Sequence, residues 1–181
     1  RYRAAVEGEP TRAYYHFKLA NLLMQMNKLR AAVSELKIAV ALEPNDAFYN
    51  FRLGDALLRM GEAKEAAGHL RQAVALAPYD DYYMVRLATA LIAARRPHEA
   101  ITTLHEALSL TSDNRAYLHL LADAYAQAGM NRHSTHIRNH TGELNEYEEE
   151  FLTRRRAECA RAGDFAPQGL LPHFGQSKRT H

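Results

Sequence analysis

AFYNFRLGDALLRMGEAKEAAGHLRQAVALAPYD, residues 47–80, is one unit of a pattern that returns every 34 residues. Within it, Tyr49, Leu53 and Leu57 stand at i, i+4 and i+8, which is one face of a helix. Ala66, Leu70 and Ala73 follow at i, i+4 and i+7, one face of a second helix. Gly61 lies between the two and Pro78 closes the unit. A helix–turn–helix hairpin of this size cannot bury both of its faces, so it must stack on others like it.

Moving outward by 34 residues finds those others. Leu19, Leu53, Leu87 and Leu121 share a column, followed by Ala20, Gly54, Ala88 and Ala122, then Leu23, Leu57, Leu91 and Tyr125. Tyr15, Tyr49, Tyr83 and Tyr117 stand four residues ahead of the leucines, on the same face. The second helix repeats as Ala32, Ala66, Ala100; Leu36, Leu70, Leu104; and Ala39, Ala73, Ala107. Small residues in fixed columns let paired helices approach closely. Asn27, Gly61 and Gly129 fall where a positive φ ends the first helix. Pro97 opens a second helix, and Asn45, Asp46, Asp80 and Asp81 precede first helices as candidate caps.

Leu53-Gly54, Leu57, Gly61, Ala66, Leu70, Ala73 and Pro78 resemble the tetratricopeptide repeat family, and the resemblance covers roughly residues 10–130. It departs from the family where Asn50 replaces a bulky aromatic and where the second helix carries leucine for an aromatic. The resemblance implies an all-α, right-handed α-solenoid whose first helices line a concave surface. Residues 1–12 read as the end of a preceding repeat, and 13–130 as three full repeats plus the first helix of a fourth. Residues 131–163 read as a divergent second helix and a capping helix. In them Ser134, Arg138 and Thr141 replace Ala, Leu and Ala, while Ile137, Leu144 and Phe151 recur every seven residues. That spacing predicts one longer amphipathic helix to about Ala162, weakened at Gly142. The run Glu146 to Arg156 reads as a solvated charged face, with Glu150 and Arg154 paired four apart. Residues 164–181, broken by Pro167 and Pro172, predict an extended tail whose Phe165, Leu170, Leu171 and Phe174 cap the terminal helix.

Composition narrows the function. The net charge is only +2, which gives no electrostatic case for nucleic acid, whose binding demands a concentrated basic face. No apolar run is long enough to span a membrane. A lone Cys159 fits a reducing, cytoplasmic setting. The chain opens at Arg1 without Met, as a fragment of a longer protein would. With no Gly-rich phosphate loop and no nucleophile motif, neither catalysis nor a cofactor is expected.

The expected activity is that of a scaffold holding a protein or peptide segment in the concave groove. The columns that the resemblance turns toward it contain Tyr14, Phe48 and Tyr82; Phe17, Phe51 and His119; Lys18, Arg52 and Arg86; and Asn21 and Asp55. An aromatic ladder beside a basic row suits such a segment, because aromatics supply contact area and Arg grips carboxylates with two prongs. The carboxylate clamp of some family members is not reproduced, since only Asn21 and Arg86 match its positions. His133, His136 and His140 have the spacing of a metal-binding helix face, although no second set of ligands accompanies them. Two other readings are a substrate-recruiting domain of a larger enzyme and a homo-oligomeric assembly module.

Overall fold

The computed structural model describes residues 2–161, with side chains from residue 11 onward. Among these residues there are helices and no strands: α1 (Tyr2–Gln25), α2 (Leu29–Leu42), α3 (Ala47–Arg59), α4 (Ala63–Leu76), α5 (Asp81–Ala93), α6 (Pro97–Leu110), α7 (Arg115–Gln127), α8 (Asn131–Thr141) and α9 (Glu146–Arg161). The first eight form four hairpins, and each hairpin stacks on the next through α2 on α3, α4 on α5 and α6 on α7. This is an α-solenoid. The helix α1 runs unbroken across the position where the sequence pattern places a repeat boundary, near residue 12. The tail at 164–181, expected to act as a cap, lies outside the described residues.

Every hairpin turns in the same way. Asn27, Gly61, Arg95 and Gly129 all take a positive φ, between 59° and 85°. The next residue then donates its N–H five residues back: Lys28 to Leu23, Glu62 to Leu57, Arg96 to Leu91 and Met130 to Tyr125, at 2.8–2.9 Å. That bond satisfies a carbonyl the helix end would otherwise leave open. Arg95 was not legible as a turn residue, because a non-glycine with positive φ is uncommon.

First helices start on side-chain caps. Asp46, Asp80 and Asn114 accept from the N–H of Tyr49, Tyr83 and Tyr117. The neighbouring candidates do not cap. Asp81 instead accepts from the Tyr117 hydroxyl at 2.7 Å, tying α5 to α7.

The long terminal helix predicted from the seven-residue spacing is in fact two helices. Gly142, at φ 80°, ends α8. A new helix starts on a reciprocal cap: the Glu148 N–H donates to Asn145 Oδ1 at 2.8 Å, and the Asn145 N–H donates to Glu148 Oε1 at 3.2 Å. The chain thereby reverses, and α9 comes to lie against α5, α7 and the edge of α3. Ile137, Leu144 and Phe151 still share one core, reached from both sides of the break.

Candidate partner-binding face

The first helices α1, α3, α5 and α7 share one face, and α9 divides it into two halves. Over α5 and α7 the face is filled by the protein's own chain. Leu152 and Cys159 of α9 are buried there, and the Cys159 thiol approaches the Thr89 carbonyl at 3.6 Å. Burial, then the Asp123 and Glu158 carboxylates, push that thiol's pKa far above its ordinary value. It is a packed side chain, not a nucleophile.

Polar contacts fix α9 in place. Asp123, with a fully buried side chain, accepts from Arg156 Nε at 2.7 Å and from Arg138 Nη2 at 2.8 Å. Arg86 is 2% exposed, and its Nη2 bonds Asp55 and, at 2.6 Å, Glu158. Burial lowers its pKa, but Asp55 and Glu158 outweigh burial and hold it above its already high value. Arg115 of α7 holds Glu148 through two nitrogens, at 2.6 and 2.9 Å. Within the Glu146–Arg156 stretch, Glu148 and Arg156 therefore have partners across the fold, while Glu146, Glu149, Glu150 and Arg154 are exposed and Glu150 and Arg154 form the pair expected of them.

The expected basic row does not act as a row. Lys18 is exposed and lies over the Tyr14 ring, 5.6 Å from its centroid. Arg52 reaches back to Asn21 Oδ1 at 2.8 Å, as Arg86 reaches back to Asp55. In both cases a cation on one first helix bonds a residue 31 positions earlier on the preceding first helix. Arg52 and Arg86 therefore join neighbouring repeats.

The aromatic ladder is present, over the half of the face that α9 leaves open. Successive ring centroids, Tyr14–Phe17–Phe48–Phe51–Tyr82, lie 5.2–6.3 Å apart. Phe51 is buried, while Tyr14, Phe48 and Tyr82 are 40–47% exposed. The ladder thus has an inner rail that packs and an outer rail that meets solvent. His119 stands apart from it, against α9. The histidine trio does not come together as three: the His136 and His140 rings meet at 4.1 Å, with His140 Nδ1 donating to the His136 carbonyl, while His133 stacks on Tyr125, and among the described residues no group of three ligands suited to a metal ion is found.

His119 gives a pH test of the α9 dock. Burial, then Arg156, lower its pKa below the ordinary 6.5, with Arg138 acting alongside and Asp123 and Glu148 opposing. The unfolded state then binds the proton more tightly, so stability should fall as pH drops below 6.5 and level off above it. Arg115 holds Glu148 below its ordinary 4.5, and the stability that this supplies should be lost on further acidification. Thermal melts from about pH 8 to well below the ordinary carboxylate range should show both declines, and His119→Gln should flatten the upper one. His69, also lowered by burial, leaves a residual slope.

Comparison with known proteins places the architecture. Two models of the tetratricopeptide repeat match residues 17–81 and 57–130. Among curated proteins there is no match. Among solved structures, a crystal structure of MamA superposes with a TM-score of 0.66 at 19% identity, over 84% of this chain and 87% of that one. MamA from Desulfovibrio magneticus RS-1, residues 41 to the end, gives 0.66 at 20% identity, over 83% and 80%. A Thermobaculum terrenum O-GlcNAc transferase mutant gives 0.55 at 25% identity, over 65% of this chain and 22% of that one.

Proposed function

The chain belongs to the tetratricopeptide repeat family and is a scaffold for protein interaction; on that footing we propose that it holds a partner segment along the open half of its concave face, without chemistry of its own. The observation that carries the proposal is the outer rail. Tyr14, Phe48 and Tyr82 recur at one column and leave large aromatic surface in water, continuous across three helices. Aromatics so placed supply contact area at small entropic loss. Lys18 flanks them. With α9 filling the rest of the face, the apolar part of the partner segment is short and reaches as far as Tyr82. The same fold in a transferase chain supports a second arrangement, in which this array recruits substrates for an enzyme domain.

The test is site-directed photocrosslinking in cells expressing the protein. A benzoylphenylalanine at Phe48 should give one dominant adduct, and at the exposed Lys64 of α4 none. Tyr14→Glu should weaken the Phe48 adduct about tenfold or more. Equal adducts at both sites, or none at Phe48, would overturn the groove reading.

A further inference from the structure

Docking of α9 creates a cleft that the repeats alone do not possess. It has a volume of about 470 Å³ and lies among α3, α5 and the last turns of α9. Five arginines line it: Arg59, Arg86, Arg154, Arg155 and Arg161. Only two carboxylates, Asp55 and Glu158, stand against them. Those two are committed, to Arg86 and to Arg86 with Arg155. Arg154 is shared with Glu150. Arg59 and Arg161 have no carboxylate partner among the described residues.

Arg86 points further. It is almost fully buried, and both carboxylates engage its Nη2, leaving Nε and Nη1 without a hydrogen-bond acceptor. A buried donor left unmet is costly, and on a guanidinium more so. An acceptor entering this cleft would meet Arg86, whose buried Nε and Nη1 lack acceptors, and two guanidiniums with no carboxylate partner among the described residues.

We propose that the cleft receives an acidic side chain of the bound segment, so that the partner is an acidic–apolar peptide. The assignment rests on the scaffold reading above. Tyr82 belongs to both features: it ends the aromatic ladder and lines the cleft. A segment whose apolar residues lie on Phe48 and Tyr82 thus brings its next residues to the arginines. Planar carboxylates match guanidinium geometry, and the low overall charge of the chain gives a polyanion no extended surface to follow.

The test uses the full chain as bait for a displayed library of random dodecamer peptides. Enriched peptides should pair apolar residues with Asp or Glu. A representative peptide should bind the double variant Arg59→Ala, Arg161→Ala at least tenfold more weakly, and its Gln-for-Glu counterpart should bind both proteins equally. If peptides are enriched with no acidic preference, or the double variant binds normally, the cleft assignment fails and the scaffold reading stands. If no peptide is enriched, or Tyr14→Ala with Phe48→Ala leaves binding intact, the scaffold reading itself fails and takes the cleft with it. If inorganic phosphate displaces the peptide beyond the effect of chloride at equal ionic strength, the cleft is a phosphate site and the acidic-peptide assignment is overturned.

Discussion

Arg86→Glu should unfold the C-terminal half of the solenoid, with a loss of about 3–5 kcal/mol or more. At the sequence level Arg86 belongs to a basic row, where changing Arg52 and Arg86 together to Glu is expected to abolish partner binding and leave the fold intact. The structure reverses that expectation. The guanidinium is 2% exposed and sits between Asp55 of α3 and Glu158 of α9. Glutamate there would bring three carboxylates together, with Arg155, already bonded to Glu158, as the cation left in contact with them. Typical domain stabilities are about 5–15 kcal/mol, so little would remain to hold α9. Urea denaturation followed by circular dichroism should show the loss, and limited proteolysis should cut α9 first. A companion variant separates charge from packing. Asp55→Leu, Arg86→Met and Glu158→Leu, combined with Arg155→Met because Arg155 pairs with Glu158, should recover most of the stability, since the buried ionic cluster is then replaced by apolar side chains with none of its charges left unpaired. An Arg86→Glu protein as stable as the parent would mean that α9 does not dock on this face.

The repeat columns were legible because burial follows them. Leu53, Leu87 and Leu121 are nearly sealed, as are Ala56, Ala90 and Ala124, since each lies against the hairpin before it. Leu19 and Leu22, the matching residues of α1, are 44% and 57% exposed, so column membership predicts a helix face and the neighbouring hairpin decides whether it is covered. The position of α9 was not legible. Its own pattern is dominated by charge, and the partners of those charges lie 33 to 72 residues away, at Arg115, Asp123 and Arg86. One signal did exist. Asp55 and Asp123 occupy the same column as Thr89, which is buried, and a carboxylate placed in a buried column needs a cation from somewhere. Arg155 and Arg156 were available in the sequence, but only the Gly142 break brings α9 back across the first helices. The rings of the aromatic columns stand next to one another across the first helices. Which ring of each pair packs and which meets solvent depends on helix rotation by a single residue, and the spacing alone does not set that.

Gly54→Leu should cost about 1–3 kcal/mol or more, and Gly54→Ala should also destabilise although alanine is the better helix former. Gly54 occupies the small-residue column between α3 and α4, where Ala20, Ala88 and Ala122 stand in the other repeats. In those repeats a Cβ is accommodated. Here it is not: a Cβ built on Gly54 would lie 2.5 Å from Leu70 Cγ and 3.2 Å from the Ala66 carbonyl oxygen. Leu70 is fully buried, and Cγ is its branch point, so it cannot swing aside as a chain end could. Relief must come from moving α4 away from α3. That displacement would carry through α4 to α5, which packs against it and holds Arg86. Alanine gains about 1 kcal/mol of helix propensity over glycine, so its net cost should be the smaller of the two. Leucine adds three more carbons to the same contact with no rotamer that avoids it. Paired melts of Gly54→Ala and Gly54→Leu measure both. Pairing each with Leu70→Ala makes a second check, because space vacated at Leu70 should return part of the loss only if these two residues meet. If Gly54→Leu melts with the parent, the register of α3 on α4 is not the one described.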